Sequence, residues 1–288
     1  MQWQGIEEGI PLLVKTLRGY RDSLGNVLRF TWFARADKQL KAIYGDAAYL
    51  LKTYKHLWQD CLESGDEIGW HPHLYSRSGE RWVQETRPAY LINDLQQSYQ
   101  AVMAEGFRPT SSRIGEAFQS NEIMHELASL GIKVDSTAMP GRVRMDSERS
   151  IDWLVTPPHP YYPAKTDYRI PGENENRVGI LEVPMSMVET KVKYDRSPVM
   201  RYIDLSFHNS VIREGLSAYI KGSDYLVSVT HPSTVLALAS QKHPLVSFDI
   251  GEVERNLNTI LSECSTLNKK VRFVTISEFL DVKGLVNE

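Results

Sequence analysis

Short runs rich in β-branched and aromatic residues alternate along this chain with amphipathic helical patterns, and that alternation constrains the fold more than any other feature. Seven runs stand out, at 27–33, 67–70, 112–114, 132–135, 180–183, 225–230 and 271–275. Between the first two, Ala48, Leu51, Tyr54, Leu57, Trp58, Cys61 and Leu62 recur at helical spacing, and Gly65 follows as a C-terminal cap. The same punctuation closes segment 90–105 at Gly106 and segment 121–130 at Gly131. Strands separated by helices pair in parallel, because each crossover helix returns the chain to the starting end of the sheet. The pattern predicts a single α/β domain over 1–288, built on a parallel sheet or barrel. Two stretches break the rhythm: 138–178, carrying Pro140, Pro157, Pro158, Pro160, Pro163 and Pro171, and 184–207. Both read as long loops, of the kind that form the walls of a substrate cleft.

The charge balance narrows the partners. Lys plus Arg number 33 against 36 Asp plus Glu, a formal net charge of −3, and no run of like charges occurs. A nucleic-acid partner is not expected, since phosphate binding needs a basic footprint. No apolar stretch approaches the roughly 20 residues that a membrane span requires. The first eight residues have no basic region followed by an apolar core, so they do not read as a signal peptide. The only cysteines, Cys61 and Cys264, indicate no disulfide framework. A soluble protein of the reducing cytoplasm is expected.

The residues that could carry chemistry gather where the β-rich runs end. His71 and His73 lie two residues apart just after the run 67–70. In extended backbone, positions i and i+2 face the same side, so two neutral imidazoles there form a ready ligand pair for zinc or a similar divalent ion. An isolated His-x-His is more often a polar turn, so its position matters. Asp37 follows the run 27–33, Arg113 and Glu116 follow the third run, Asp135 ends the fourth, and His231 follows the sixth. In a β/α barrel the active site is assembled at that end of the strands. Each residue also has a plainer use: Asp37 as the N-cap of a helix starting at Lys38, Asp135 in a turn, Arg113 as a surface cation, His231 ahead of a helix capped by Ser233. Of the other histidines, His56, His125, His208 and His243 read as structural. His159, with Tyr161 and Tyr162 in the proline-rich loop, suits sugar stacking.

In this order the motifs resemble the polysaccharide deacetylases, metal-dependent enzymes that remove N- or O-acetyl groups from glycans on a distorted (β/α)7 barrel. The resemblance covers most of the chain. It rests on 65–71 as the metal-binding segment, Arg113 as the arginine of the third motif, 130–137 as the segment ending in Asp-Ser, 180–184 as the strand ending in Glu-x-Pro, and Val229-Thr-His231-Pro232 as the last motif. It implies a divalent metal, zinc first, held by His71 and His73. The family's second histidine position holds Tyr75 here, so His73 would bind from a different place. The family's opening acidic strand has no counterpart in these residues, which begin at the helix that would follow it. Asp37 would then complete the metal site, or Glu116 would supply the missing carboxylate while touching substrate.

The resemblance further implies His231 as the acid that protonates the departing amine or alcohol, with Arg113 and Asp135 orienting the reacting groups. His159, Tyr161 and Tyr162 would contact an acetylated sugar of a bacterial surface polysaccharide. Two other readings stay open: a glycan-binding or scaffold barrel without catalysis, and another metal hydrolase or a glycosidase on a related barrel.

Overall fold

Five of the seven runs ladder into one parallel sheet in the computed structural model, which describes residues 3–146, 149–237 and 242–282. Met1 and Gln2 of the opening helical segment, and residues 147–148 of the first long loop, lie outside the described residues. The strands are β1 (Thr31–Arg35), β2 (Glu67–His71), β3 (Ser111–Ser112), β4 (Val134–Asp135) and β5 (Leu181–Glu182), hydrogen-bonded in that order. Every neighbouring pair is parallel. No ladder among the described residues joins β5 back to β1.

The two remaining runs enter no ladder among the described residues. In 225–230 the backbone makes separate bonds, Ser186 N–H to the Val227 carbonyl at 3.1 Å and Val229 N–H to the Ile203 carbonyl at 2.9 Å. In 271–275 the Phe273 N–H goes to the Asp22 carboxylate at 3.0 Å. Side chains and single contacts thus satisfy groups that a strand would pair repetitively.

The chain divides into two compact units, one of 29–184 with 275–282 and the other of 3–28 with 185–274. The first holds the sheet. Its inner strand β2 buries Ile68, Gly69 and Trp70 in succession, as a strand covered on both faces must, whereas the edge strand β1 alternates. Helix Pro88–Ala104 starts with a proline in its first turn and buries Leu91, Leu95, Ser98 and Val102 along one stripe. Helix Asn121–Ser129 is capped by Ser120, whose Oγ accepts from Ile123 N–H, and it buries Ile123, Met124 and Leu127. Both helices end at a glycine with positive φ, Gly106 and Gly131. The predicted single helix over 48–62 is instead two, Tyr49–Thr53 and Lys55–Glu63, because Tyr54 leaves helical backbone geometry at φ −108°, ψ 30°.

The two expected long loops are more ordered than their composition suggests. Within 138–178, Val143–Met145 pairs antiparallel with Ser150–Asp152, and the fully buried Trp153 anchors the hairpin by donating its Nε1–H to the Ala117 carbonyl at 2.9 Å. Within 184–207, Met187–Thr190 pairs with Val199–Tyr202. These backbones pair locally, which an all-loop reading would leave to solvent. The second unit also contains helices Ile10–Leu17, Asn209–Gly222 and Ile250–Thr266, the last two packed together, with Val192, Phe207, Ile212 and Leu245 in one apolar cluster. Cys61 is buried and Cys264 half-buried, and no disulfide joins them.

Candidate active site

The register of β1 on β2 sets Arg35 opposite His71, so both strands deliver polar residues to one end of the sheet. His71 closes β2 and His73 follows one proline later. Their Nε2 atoms lie 3.2 Å apart with the rings perpendicular. His71 Nδ1 lies 2.6 Å from the backbone carbonyl of Arg113. A carbonyl can only accept, so Nδ1 carries the proton and Nε2 is left with its lone pair.

The segment carrying Arg113 is tied to the histidines through backbone as well. Arg113 N–H donates to the Trp70 carbonyl at 2.9 Å and Gly115 N–H to the Pro72 carbonyl at 2.8 Å. A side chain on Gly115 would place its Cβ 2.5 Å from His73 Cγ, so the imidazole packs here because the residue is glycine. The two residues after it, Glu116 and Ala117, both have φ above +50°, a region non-glycine residues adopt at a cost. Glu116 is thereby turned toward Arg149, 2.8 Å away, and toward Tyr75. Burial, and then the charge of Glu116, push the Tyr75 phenol up to about 12. The His73 and Tyr75 rings are 5.7 Å apart.

Asp37, expected as a third metal ligand, has its oxygens engaged elsewhere. It is buried and caps helix Lys38–Tyr44, Oδ1 accepting from Leu40 N–H at 2.9 Å. Oδ2 accepts from Arg35 Nε at 2.6 Å and from the backbone N–H of His73 at 3.2 Å, and Arg35 Nη2 reaches Oδ1 at 3.4 Å. Those four bonds take up the acceptor positions of a carboxylate. Asp37 therefore holds the backbone of His73.

Arg113 is nearly buried over the Phe33 ring, its Nε donating to the Ser136 carbonyl at 2.7 Å and Nη2 to Ser136 Oγ at 2.8 Å. It is no surface cation. Asp135 is wholly buried, accepting from Ser112 Oγ at 2.6 Å and Gln119 Nε2 at 3.2 Å. The β4–β5 register places it beside Glu182, which is equally buried. Burial raises both carboxyls, and the Asp135 charge drives Glu182 well above the usual range. The pair therefore keeps a proton on Glu182.

His231 belongs to the other unit, exposed at the start of the short turn Pro232–Val235. The buried Asp204 feels its charge, and accepts from Ser206 N–H and Oγ, both at 2.8 Å, and from Thr230 Oγ1 at 3.0 Å. Burial is the larger influence and raises the Asp204 carboxyl.

The proline-rich loop divides its three candidates. Tyr161 is 3% exposed, bridges the backbone of Glu182 and donates its hydroxyl to the Tyr168 carbonyl at 2.9 Å, so it is a core residue that offers no face to a sugar. Tyr162 is half-buried under the Arg177 guanidinium, 4.6 Å from its ring centre. His159 is exposed. Elsewhere, His125 contacts the Lys165 carbonyl and His208 that of His243, as structural histidines do.

Two nitrogens bound to one tetrahedral zinc at about 2.0–2.1 Å are about 3.3 Å apart, close to the separation of the two Nε2 atoms. Among the described residues, however, no group of three or more His, Cys, Asp or Glu side chains is arranged to hold a metal ion. The histidines fit as half of a site. A catalytic zinc usually takes three protein ligands.

No family model and no curated protein matches this chain. Among solved structures, it is similar to a protein of Mycobacterium smegmatis ascribed to the polysaccharide deacetylases, with TM-score 0.52 and 15% identity over 97% of this chain and 76% of that one. At that identity the likeness is one of fold alone, an α/β architecture, which in this chain is built on a five-stranded parallel sheet. No helix among the described residues is long and apolar enough to cross a membrane.

Proposed function

We propose that this chain is a hydrolase of the polysaccharide deacetylase type, removing acetyl groups from a carbohydrate, on a single domain whose sheet closes as a distorted (β/α)7 barrel. The observation that carries the reading is the His71–His73 pair at the carboxyl end of β2, with Nε2 atoms 3.2 Å apart. The fold-level likeness to the M. smegmatis protein supports the same class. His71 and His73 would hold a divalent ion, zinc first, with further ligands from water or substrate. Such an ion would polarise an acetyl carbonyl and lower the pKa of a bound water.

The chain's own residues have distinct tasks in this reading. Arg113 presents the carbonyl that orients His71, and Asp37 fixes the backbone of His73. Glu116, held in a strained turn beside the histidines, is the carboxylate best placed to take a proton from water or to bind a sugar hydroxyl. From the resemblance, His231 is taken as the proton donor for the departing group, and its charge is felt by the buried Asp204. His159 and Tyr162 remain the sugar-contacting candidates of the proline-rich loop.

The test is acetate release from N-acetylated and O-acetylated oligosaccharides by the zinc-loaded full chain. Acetate release lost in His71→Ala and His73→Ala supports the reading. Release of reducing sugar instead would move the chain to the glycosidases. One observation favours a second reading, a glycan-binding barrel without turnover: the oxygens of Asp37 are already engaged and no third ligand joins the histidines among the described residues. Oligosaccharide binding with neither acetate nor reducing sugar released would select it.

A further inference from the structure

The carboxyl of Glu182 has no counterpart among the candidates read from sequence, yet it lies at the start of a continuous set of contacts that ends on His71. Its Oε1 accepts from two consecutive backbone N–H groups, Thr137 at 3.0 Å and Ala138 at 2.8 Å. Its Oε2 is buried and receives no hydrogen bond, while the strand register sets Asp135 directly beside it. A buried carboxyl oxygen in that position is satisfied when it carries a proton and donates it to the neighbouring carboxylate. The turn gripped by Glu182 in turn grips the next strand end. Thr137 Oγ1 accepts from Ile114 N–H at 2.8 Å, and Ser136 takes two guanidinium bonds of Arg113. The carbonyl of that same Arg113 accepts from His71 Nδ1.

We propose that Glu182 is a positioning residue for the histidine pair: through the 136–138 turn it fixes the Arg113 carbonyl, and so selects the His71 tautomer whose lone pair faces His73. The inference rests on reading His71 and His73 as the reacting pair. Its links are few and short, running from Glu182 to the 136–138 turn, to residues 113 and 114, to His71. Ser112 Oγ donates to one oxygen of Asp135 and Gln119 Nε2 to the other, so the proton-sharing pair is held against the turn. A merely structural acid in the core would satisfy its own oxygens without determining which ring nitrogen of a histidine three strands away carries hydrogen.

The experiment reads the imidazole nitrogens of His71 and His73 by 15N NMR in the metal-free full chain, so that it does not depend on deacetylase activity. In the wild type His71 is expected as the Nδ1–H tautomer. Glu182→Gln keeps an acceptor for Thr137 and Ala138 and a donor for Asp135, and should leave that tautomer in place. Glu182→Ala should shift the His71 tautomer ratio by about tenfold, the effect of losing one well-placed hydrogen bond. A folded Glu182→Ala chain with the wild-type ratio would overturn the proposal, as would a Glu182→Gln chain disturbed as strongly as the alanine variant. If Glu182→Ala does not fold, Ser136→Ala and Thr137→Val break later links of the same path, and an unchanged His71 in both overturns it equally. A chain that releases no acetate but shows this pattern would refute the proposed activity and leave the positioning role standing.

Discussion

The backbone N–H of His73 donates to Asp37 while the His71 ring donates to the Arg113 carbonyl, so two neighbouring strands each hold one member of the histidine pair. The pair is thus fixed from both sides before any ligand arrives. Such preorganisation is what a metal or a shared proton needs, because rings free to rotate would have to be ordered on binding. Zinc added to the full chain should bind to the histidines, and His71→Ala or His73→Ala should weaken it at least about tenfold to a hundredfold. Equal zinc affinity in all three chains, measured by calorimetry, would remove the metal from the proposal.

Asp37 separates two roles that sequence left open. As a helix cap and backbone clamp, its replacement by alanine should cost about 1–2 kcal/mol of stability. Zinc affinity should fall only as far as His73 loosens. Urea unfolding and zinc titration of Asp37→Ala distinguish this from ligation, in which affinity would collapse as completely as in His73→Ala while stability changed little.

Much of this site was legible because its residues end strands, and strand ends are visible as the ends of β-rich runs. His71, Arg113 and Asp135 were placed in that way, and β2, β3 and β4 set them there. Glu182 was quoted only as part of a motif, since its closeness to Asp135 arises from a ladder between β4 and β5 that no local pattern encodes. Asp204 was missed for the same reason: it lies 27 residues before His231, and the partnership exists only once Thr230 has bonded to it. Gly115 gave no signal because its importance lies in what a methyl group would strike. Tyr161 misled, because an aromatic in a proline-rich loop looks exposed until the loop folds its backbone against β5. The runs 225–230 and 271–275 looked like strands since β propensity measures fit to a half-buried surface, and these runs are half-buried without a ladder.

Gly115→Ala tests the packing of His73 directly. The added Cβ would stand 2.5 Å from the ring, too close for either to remain in place. A loss of about 1–3 kcal/mol is expected, the usual cost of overpacking, together with weaker zinc binding. Wild-type stability and affinity in this variant would mean that the 113–116 segment yields readily and does not define the site.

His231→Ala should lower acetate release by about a hundredfold or more while zinc content stays unchanged, since a general acid contributes roughly 10²–10⁴-fold and binds no metal. Asp204→Asn should reproduce part of that loss. Parallel loss of zinc and activity in His231→Ala would make it a ligand.

Acid sensitivity should be carried by Glu85, whose carboxylate accepts from the Arg87 side chain, from Ser76 Oγ, and from the backbone N–H groups of Arg87 and Thr86. The Arg87 bonds foremost lower it from about 4.5 to about 2. A depressed folded pKa adds stability above about pH 4.5 that is lost as pH falls toward 2. Melting temperature should therefore drop between pH 5 and pH 3, and less steeply in Glu85→Gln. Identical slopes would place the acid-labile group elsewhere.

Glu182 should give the opposite pH dependence. Burial and the Asp135 charge raise its carboxyl far above the usual range, so the folded chain keeps a proton that the unfolded chain has lost at neutral pH. A raised folded pKa contributes stability that is complete below the unfolded value, near 4.5, and that diminishes as pH climbs toward the folded one. Glu182→Gln carries no titrating proton but keeps the same shape, the acceptor for Thr137 and Ala138, and a donor toward Asp135. Its stability relative to wild type should accordingly rise with pH, by at most about 1.4 kcal/mol per unit between the two pKa values. Urea unfolding of both chains at pH 5, 6 and 7 measures this, with folding verified at each pH. A constant difference across that range would mean that Glu182 is ionised in the folded protein, and the buried pair would then need a second positive partner that its present neighbours do not supply.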